Sequence, residues 1–138
     1  MENSSAKLFP PDTVLVAMYG ATAGQVGILK FKSSTNQAIC GVLPNENFMP
    51  EFIYYALLVK KKVLVSQAIG GAQPNVSQQK IKNMLIPKIS REKQWVLVKK
   101  IEEMSAKSQK LERIYEHKRS NLEELQKSIL KKAFVGEL

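Results

Sequence analysis

Along the second half of the chain, apolar side chains return at alternating steps of four and three: Leu97, Ile101, Met104, Leu111, Tyr115, Leu122, Leu125 and Ile129. Ser108, Lys118 and Lys132 are the polar members of the same series. An average spacing of 3.5 residues is that of a coiled-coil seam, narrower than the apolar face of a helix packed on a globular core. No proline follows residue 90, and the one glycine there is Gly136. The pattern predicts a single helix over residues 91–134, roughly 65 Å long at 1.5 Å per residue. A domain this small cannot cover such a length, so the seam is expected to pair with a second copy, another subunit, or both. The alternative is a helix folded back on its own sheet.

The first half has a different texture, with Gly and Pro separating short apolar runs. Residues 13–19 and 25–32 read as two strands joined by the turn of Gly20 to Gly24, and residues 36–43 as a third strand closed by Pro44. Pro50 and Glu51 are suited to opening a helix, since proline loses nothing in a first turn and a carboxylate faces the positive dipole end. That helix is expected over residues 50–67, packed on the sheet, with Lys60, Lys61 and Lys62 reaching water. Gly70, Gly71 and Pro74 break regular structure, Ser77 caps a short helix through Lys82, and residues 84–87 suggest a fourth strand. The fold expected is α+β: a small mixed sheet domain with one packed helix and a glycine-rich loop, followed by a long C-terminal coiled-coil helix. The division falls between residues 1–89 and 90–138.

With 138 residues, the chain has room for one compact domain and an appendage, not for a two-lobed enzyme. Its 21 basic against 12 acidic residues leave a net charge of +9. Such a surplus draws a protein toward polyanions, nucleic acid first and an acidic lipid surface second. The longest apolar run, residues 52–59, is far short of the ~20 residues that cross a bilayer, and residues 1–10 do not read as a secretion signal. One cysteine, Cys40, excludes an internal disulfide and a cysteine-rich zinc site. A reduced, cytoplasmic setting without a membrane partner is the expectation.

Catalytic chemistry is hard to place. One histidine, His117, cannot furnish a zinc triad, and its charged surroundings favour a solvated helix residue over a lone base. Gly20, Gly24 and Gly27 precede a strand-like run, whereas a phosphate-cradling loop must open a helix. The four acids before Ser90, namely Glu2, Asp12, Glu46 and Glu51, form no close pair in sequence. What remains is a binding surface. Lys30, Lys32, Lys60, Lys61, Lys62, Lys80 and Lys82 can meet phosphates, and Gln25, Asn36, Gln37, Gln73, Asn75 and Gln78 can meet base edges. Lysines that merely keep the surface soluble, and amides that merely form turns, are the competing reading.

Several ordered motifs resemble one family. These are residues 20–28 (Gly-Ala-Thr-Ala-Gly-Gln-Val-Gly-Ile), Asn36-Gln37-Ala38, residues 70–77 (Gly-Gly-Ala-Gln-Pro-Asn-Val-Ser) and Ile86-Pro87, followed by the ending at residues 128–138. Together they are similar to the DNA specificity subunit of type I restriction-modification systems. The resemblance implies a target recognition domain and a spacer helix, in a subunit that performs no catalysis. It implies binding to double-stranded DNA, to methyltransferase subunits that hold S-adenosylmethionine, and to restriction subunits. No cofactor is expected on this chain. A complete subunit has two such domains and two antiparallel helices, so this chain corresponds to a half-length or truncated form whose copies are expected to pair as an antiparallel homodimer. Where the family usually has proline and then adjacent Glu-Gln at the helix start, this chain has Glu92-Lys93-Gln94. The alternative function is a regulatory interaction protein that occupies the methyltransferase docking surface without reading DNA sequence.

Overall fold

The computed structural model describes residues 8–66 and 76–136. The expected glycine-rich loop, with Gln73 and Asn75, lies outside the described residues, as does Gln67, the expected end of the first long helix. The order of elements is β1 (Leu8–Phe9), β2 (Val14–Ala17), a 3-10 turn (Gly20–Thr22), β3 (Val26–Ile28), β4 (Ser33–Ser34), β5 (Ile39–Val42), α1 (Pro50–Ser66), α2 (Gln78–Lys82) and α3 (Arg91–Val135). The fold is α+β. The chain divides into two units, Met1–Val98 and Lys99–Leu138.

In the first unit β2 is the central strand of an antiparallel sheet ordered β3-β2-β5. Val14 and Val16 are fully buried, as expected of a strand with a neighbour on each side and cover on its face. Val14 lies opposite Ile28 and Val42, and Val16 opposite Val26 and Cys40. The turn between β2 and β3 uses Gly20 and Gly24 in the left-handed region, at φ 71° and 77°, a conformation that costs glycine little.

Leu15 has glycine as cross-strand neighbour on both sides, Gly27 and Gly41. The bare backbone at Gly41 receives the Phe9 ring of the ribbon formed by β1 and β4. Strands of two residues carry no periodic signal in the sequence, so this ribbon is visible only in the structure.

Helix α1 covers the sheet through Ile53, Leu57 and Leu64, spaced four and seven along one face and all buried. Lys62 reaches water as expected, while Lys60 and Lys61 are half-buried. Ser77 caps α2 by accepting from the Lys80 amide, and Ile81 enters the core. Val76, fully buried, donates its amide to the Met18 carbonyl at 2.8 Å and so ties this segment to the end of β2. The strand expected at residues 84–87 is absent. Met84 and Ile86 do turn inward while Leu85 is 83% exposed, but the segment has no ladder partner among the described residues and remains irregular.

Three successive amides precede α1, and each finds an acceptor. The Asn45 side-chain oxygen takes those of Asn47 and Phe48, at 3.1 and 3.0 Å. The Gln94 Oε1 takes that of Met49 at 2.8 Å. Gln94 is wholly buried, and its Nε2 donates to the Asn47 and Ile89 carbonyls at 2.8 and 2.9 Å. Arg91 adds a bond to the Glu46 carbonyl at 3.0 Å. The first two turns of α3 are thereby fastened to the approach to α1, with Val98 completing the packing.

Beyond Val98, every described residue of α3 is exposed. The helix has 45 residues, about 67 Å at the standard rise, and ends at Gly136 in the left-handed region with φ 76°. No described helix is long and apolar enough to cross a membrane.

Candidate nucleic-acid interface

The strand register sorts the residues selected from sequence into separate places. At the Met18 end of β2, Ala17 donates to the Gln25 carbonyl, Met18 donates to the Ala38 carbonyl, and Val76 donates to the Met18 carbonyl. Gln25, the Asn36-Gln37 pair and the segment entering Gln78 therefore converge on one end of the sheet. Gln25, Asn36, Gln37 and Gln78 are all exposed. Lys30 and Lys32 are exposed too, but they follow β3 past the opposite end, where Leu29 bonds both Asp12 and Thr13. These two lysines do not join the amide cluster.

The amides are not equivalent. The Asn36 oxygen accepts from the Ala38 amide at 3.1 Å, the turn-forming role weighed against base contact. The Gln78 side chain reaches the Cys40 thiol. Burial pushes that thiol up from its ordinary value, outweighing the lowering by the Gln78 hydrogen bond and the Lys82 charge. Cys40, Gln78, Ile81 and Lys82 share the wall of a cleft of about 490 Å³ between β5, α1 and α2. Lys82 is exposed and Lys80 half-buried. Among the described residues no cluster of side chains suited to a metal ion occurs.

Two residues escaped the reading from sequence. Tyr19 is 42% exposed at the Met18 end, and Thr22 in the adjoining 3-10 turn bonds back to the Tyr19 carbonyl at 3.5 Å. Their signal was position alone, an aromatic ring and a hydroxyl beside the turn glycines. At the opposite end Phe31, 68% exposed between Lys30 and Lys32, is a further prominent ring.

The second unit offers a surface of another kind. Leu97, Ile101, Met104, Leu111, Tyr115, Leu122, Leu125 and Ile129 are each between 39% and 65% exposed. The ion pairs found on α3, Lys99 with Glu102 and Arg119 with Glu123, use no residue of this stripe. His117 lies on the same helix with its ring 3.4 Å from the Asn121 amide, in keeping with a solvated residue.

Comparison with known proteins adds four findings. A family model described as the type I restriction modification DNA specificity domain matches residues 1–131. The specificity subunit of the type I restriction enzyme EcoBI from Escherichia coli is 28% identical over 130 residues, covering 91% of this chain and 27% of that protein. Among solved structures, a chain from the complex assembly and conformational transition of the type I R-M system superposes with a TM-score of 0.80 at 20% identity, over 96% of this chain and 33% of that one. The HsdS subunit of Thermoanaerobacter tengcongensis superposes at 0.71, with 20% identity, over 96% and 32%. At these identities the structural likeness speaks to the fold, and the chain spans about a quarter to a third of the length of these relatives.

Proposed function

Because this chain belongs to the type I restriction modification DNA specificity family, we propose that it is a DNA-binding specificity and scaffold subunit. In this reading it makes and breaks no bonds itself. It positions methyltransferase and restriction subunits on double-stranded DNA, and S-adenosylmethionine is held by the methyltransferase. Residues 1–89 act as a partial target recognition domain, and residues 90–138 as a spacer and dimerisation helix through which two copies pair antiparallel.

The observation that carries the reading is the convergence of Gln25, Asn36, Gln37 and Gln78 at the Met18 end of the sheet, on a chain with a net charge of +9. Amides and hydroxyls are the groups that read base edges, and cations hold the phosphates. Lys80 and Lys82 follow Gln78 on α2 and supply positive charge beside the amides. Gln73 and Asn75 belong to the same proposed set by their place in sequence, and Lys30 and Lys32 form a second, separate basic point.

The test is a fluorescence-anisotropy titration of the full chain against a pool of duplex DNA, at several salt concentrations. Binding is expected to weaken steeply with salt and to enrich particular sites. Lys80→Gln with Lys82→Gln is expected to weaken all duplexes alike and to lower the salt slope by about 2. Gln25→Ala is expected to relax the preference among sites. An absence of duplex binding at low salt overturns the reading.

A further inference from the structure

The seam of α3 is its own mirror. Reflecting positions about residue 113 sets Leu97 opposite Ile129, Ile101 opposite Leu125, Met104 opposite Leu122, Ser108 opposite Lys118, and Leu111 opposite Tyr115. Every apolar member of this span meets an apolar one, and the two polar members meet each other. Each layer also joins an a position of one helix to a d position of the other, which is how reversed helices interleave.

A shift by one heptad destroys the match. In one direction Lys118 faces Ile101 and Ser108 faces Leu111. In the other, Lys118 faces Tyr115 and Ser108 faces Leu125. A buried ammonium without a polar partner is costly, and polar seam residues choose register for that reason.

We infer that two copies of this chain pair along α3 in this one antiparallel register, with the two-fold axis beside Arg113. The inference rests on the homodimer reading above and adds the alignment. Ile114, 43% exposed and one position off the seam, comes beside its own counterpart at the axis. Given the observed exposures, the apolar area available along the stripe is on the order of 900 Å² per chain, close to what each partner contributes to a standard specific interface. The register sets the two Leu97 residues about 48 Å apart along the pair.

The experiment uses the full chain with Met104→Cys and Leu122→Cys, made singly and mixed. Both positions are exposed, so neither substitution disturbs the core. Mild oxidation is expected to cross-link the mixture into a covalent dimer and to leave each single variant uncross-linked, since like positions lie about 27 Å apart in this register. Cross-linking by either variant alone means a parallel pair and overturns the inference. Met104→Cys joined to Tyr115→Cys or to Ile129→Cys, in place of Leu122→Cys, means a shifted register and overturns it as well. Light scattering separates the two levels: a monomer at about 100 μM, well above the Kd of a specific interface of standard size, removes the homodimer reading, whereas a dimer lacking the 104–122 cross-link removes the register alone. Lys118→Leu provides a second check, because it is expected to tighten the dimer and to admit the shifted cross-links.

Discussion

Replacing Gln94 by Leu keeps the volume of a fully buried side chain and removes three hydrogen bonds at once. The Met49 amide loses its Gln94 acceptor, and the Asn47 and Ile89 carbonyls lose the Gln94 donor. An orphaned buried group costs about 1–3 kcal/mol, carbonyls with a second lone pair less than an amide. The substitution is expected to cost about 3 kcal/mol, a large share of the 5–15 kcal/mol that stabilises a typical domain. Urea denaturation followed through Trp95, the single tryptophan and the neighbour of Gln94, reads this directly as a lower midpoint with an unchanged slope. Gln94→Glu sharpens the test. Its carboxylate would still accept from Met49 but would set negative charge against the two carbonyls, so its folded-state pKa rises above the ordinary glutamate value. The protonated form is then the one the fold favours, and stability relative to the parent chain is greatest below the ordinary pKa and falls as pH rises through the raised one. A cost for Gln94→Leu below about 0.5 kcal/mol, within the range of neutral surface changes, or a Gln94→Glu cost that does not grow as pH rises from the ordinary carboxylate range toward neutrality, refutes the reasoning.

Gly41→Ala is expected to destabilise by about 1–3 kcal/mol through overpacking, because the new Cβ would lie 2.5 Å from the Phe9 ring. In a double-mutant cycle Phe9→Leu should relieve part of that loss, and strict additivity would contradict the contact. The Glu92 carboxyl is held below its ordinary value by a hydrogen bond to its own backbone and another to Ser90, with Arg91 adding a smaller lowering against slight desolvation. Its support for the start of α3 is therefore present above the ordinary carboxylate pKa and is lost as pH falls through the lowered one. Ser90→Ala should move the Glu92 titration upward in carboxyl NMR; an unmoved titration would exclude the hydroxyl as a cause.

Much of this architecture is legible in the residues because the signals are local. The four-three repeat from Leu97 to Ile129 marks α3, Pro50 and Ser77 mark helix starts, and Gly20 with Gly24 marks the turn between β2 and β3. Pairing is not local. Met84, Leu85 and Ile86 alternate as a strand would, yet a strand needs a ladder, and this segment pairs with none of the described strands. Gln94 shows the same limit for burial: within a charged helical start it reads as one more polar residue, and only the approach of residues 47–49 makes it an anchor. The candidate interface was legible as a set of residue types, whereas its division between two ends of the sheet follows from the register of β2 with β3 and β5.

In the homodimer proposed above, the exposed stripe of α3 also ties the fate of the chain to its abundance. An oily surface of this extent is an invitation to proteases and chaperones while it is bare, and its shelter grows with the square of the chain's concentration when the shelter is another copy. Scarcity leaves the chain short-lived, and plenty makes it durable.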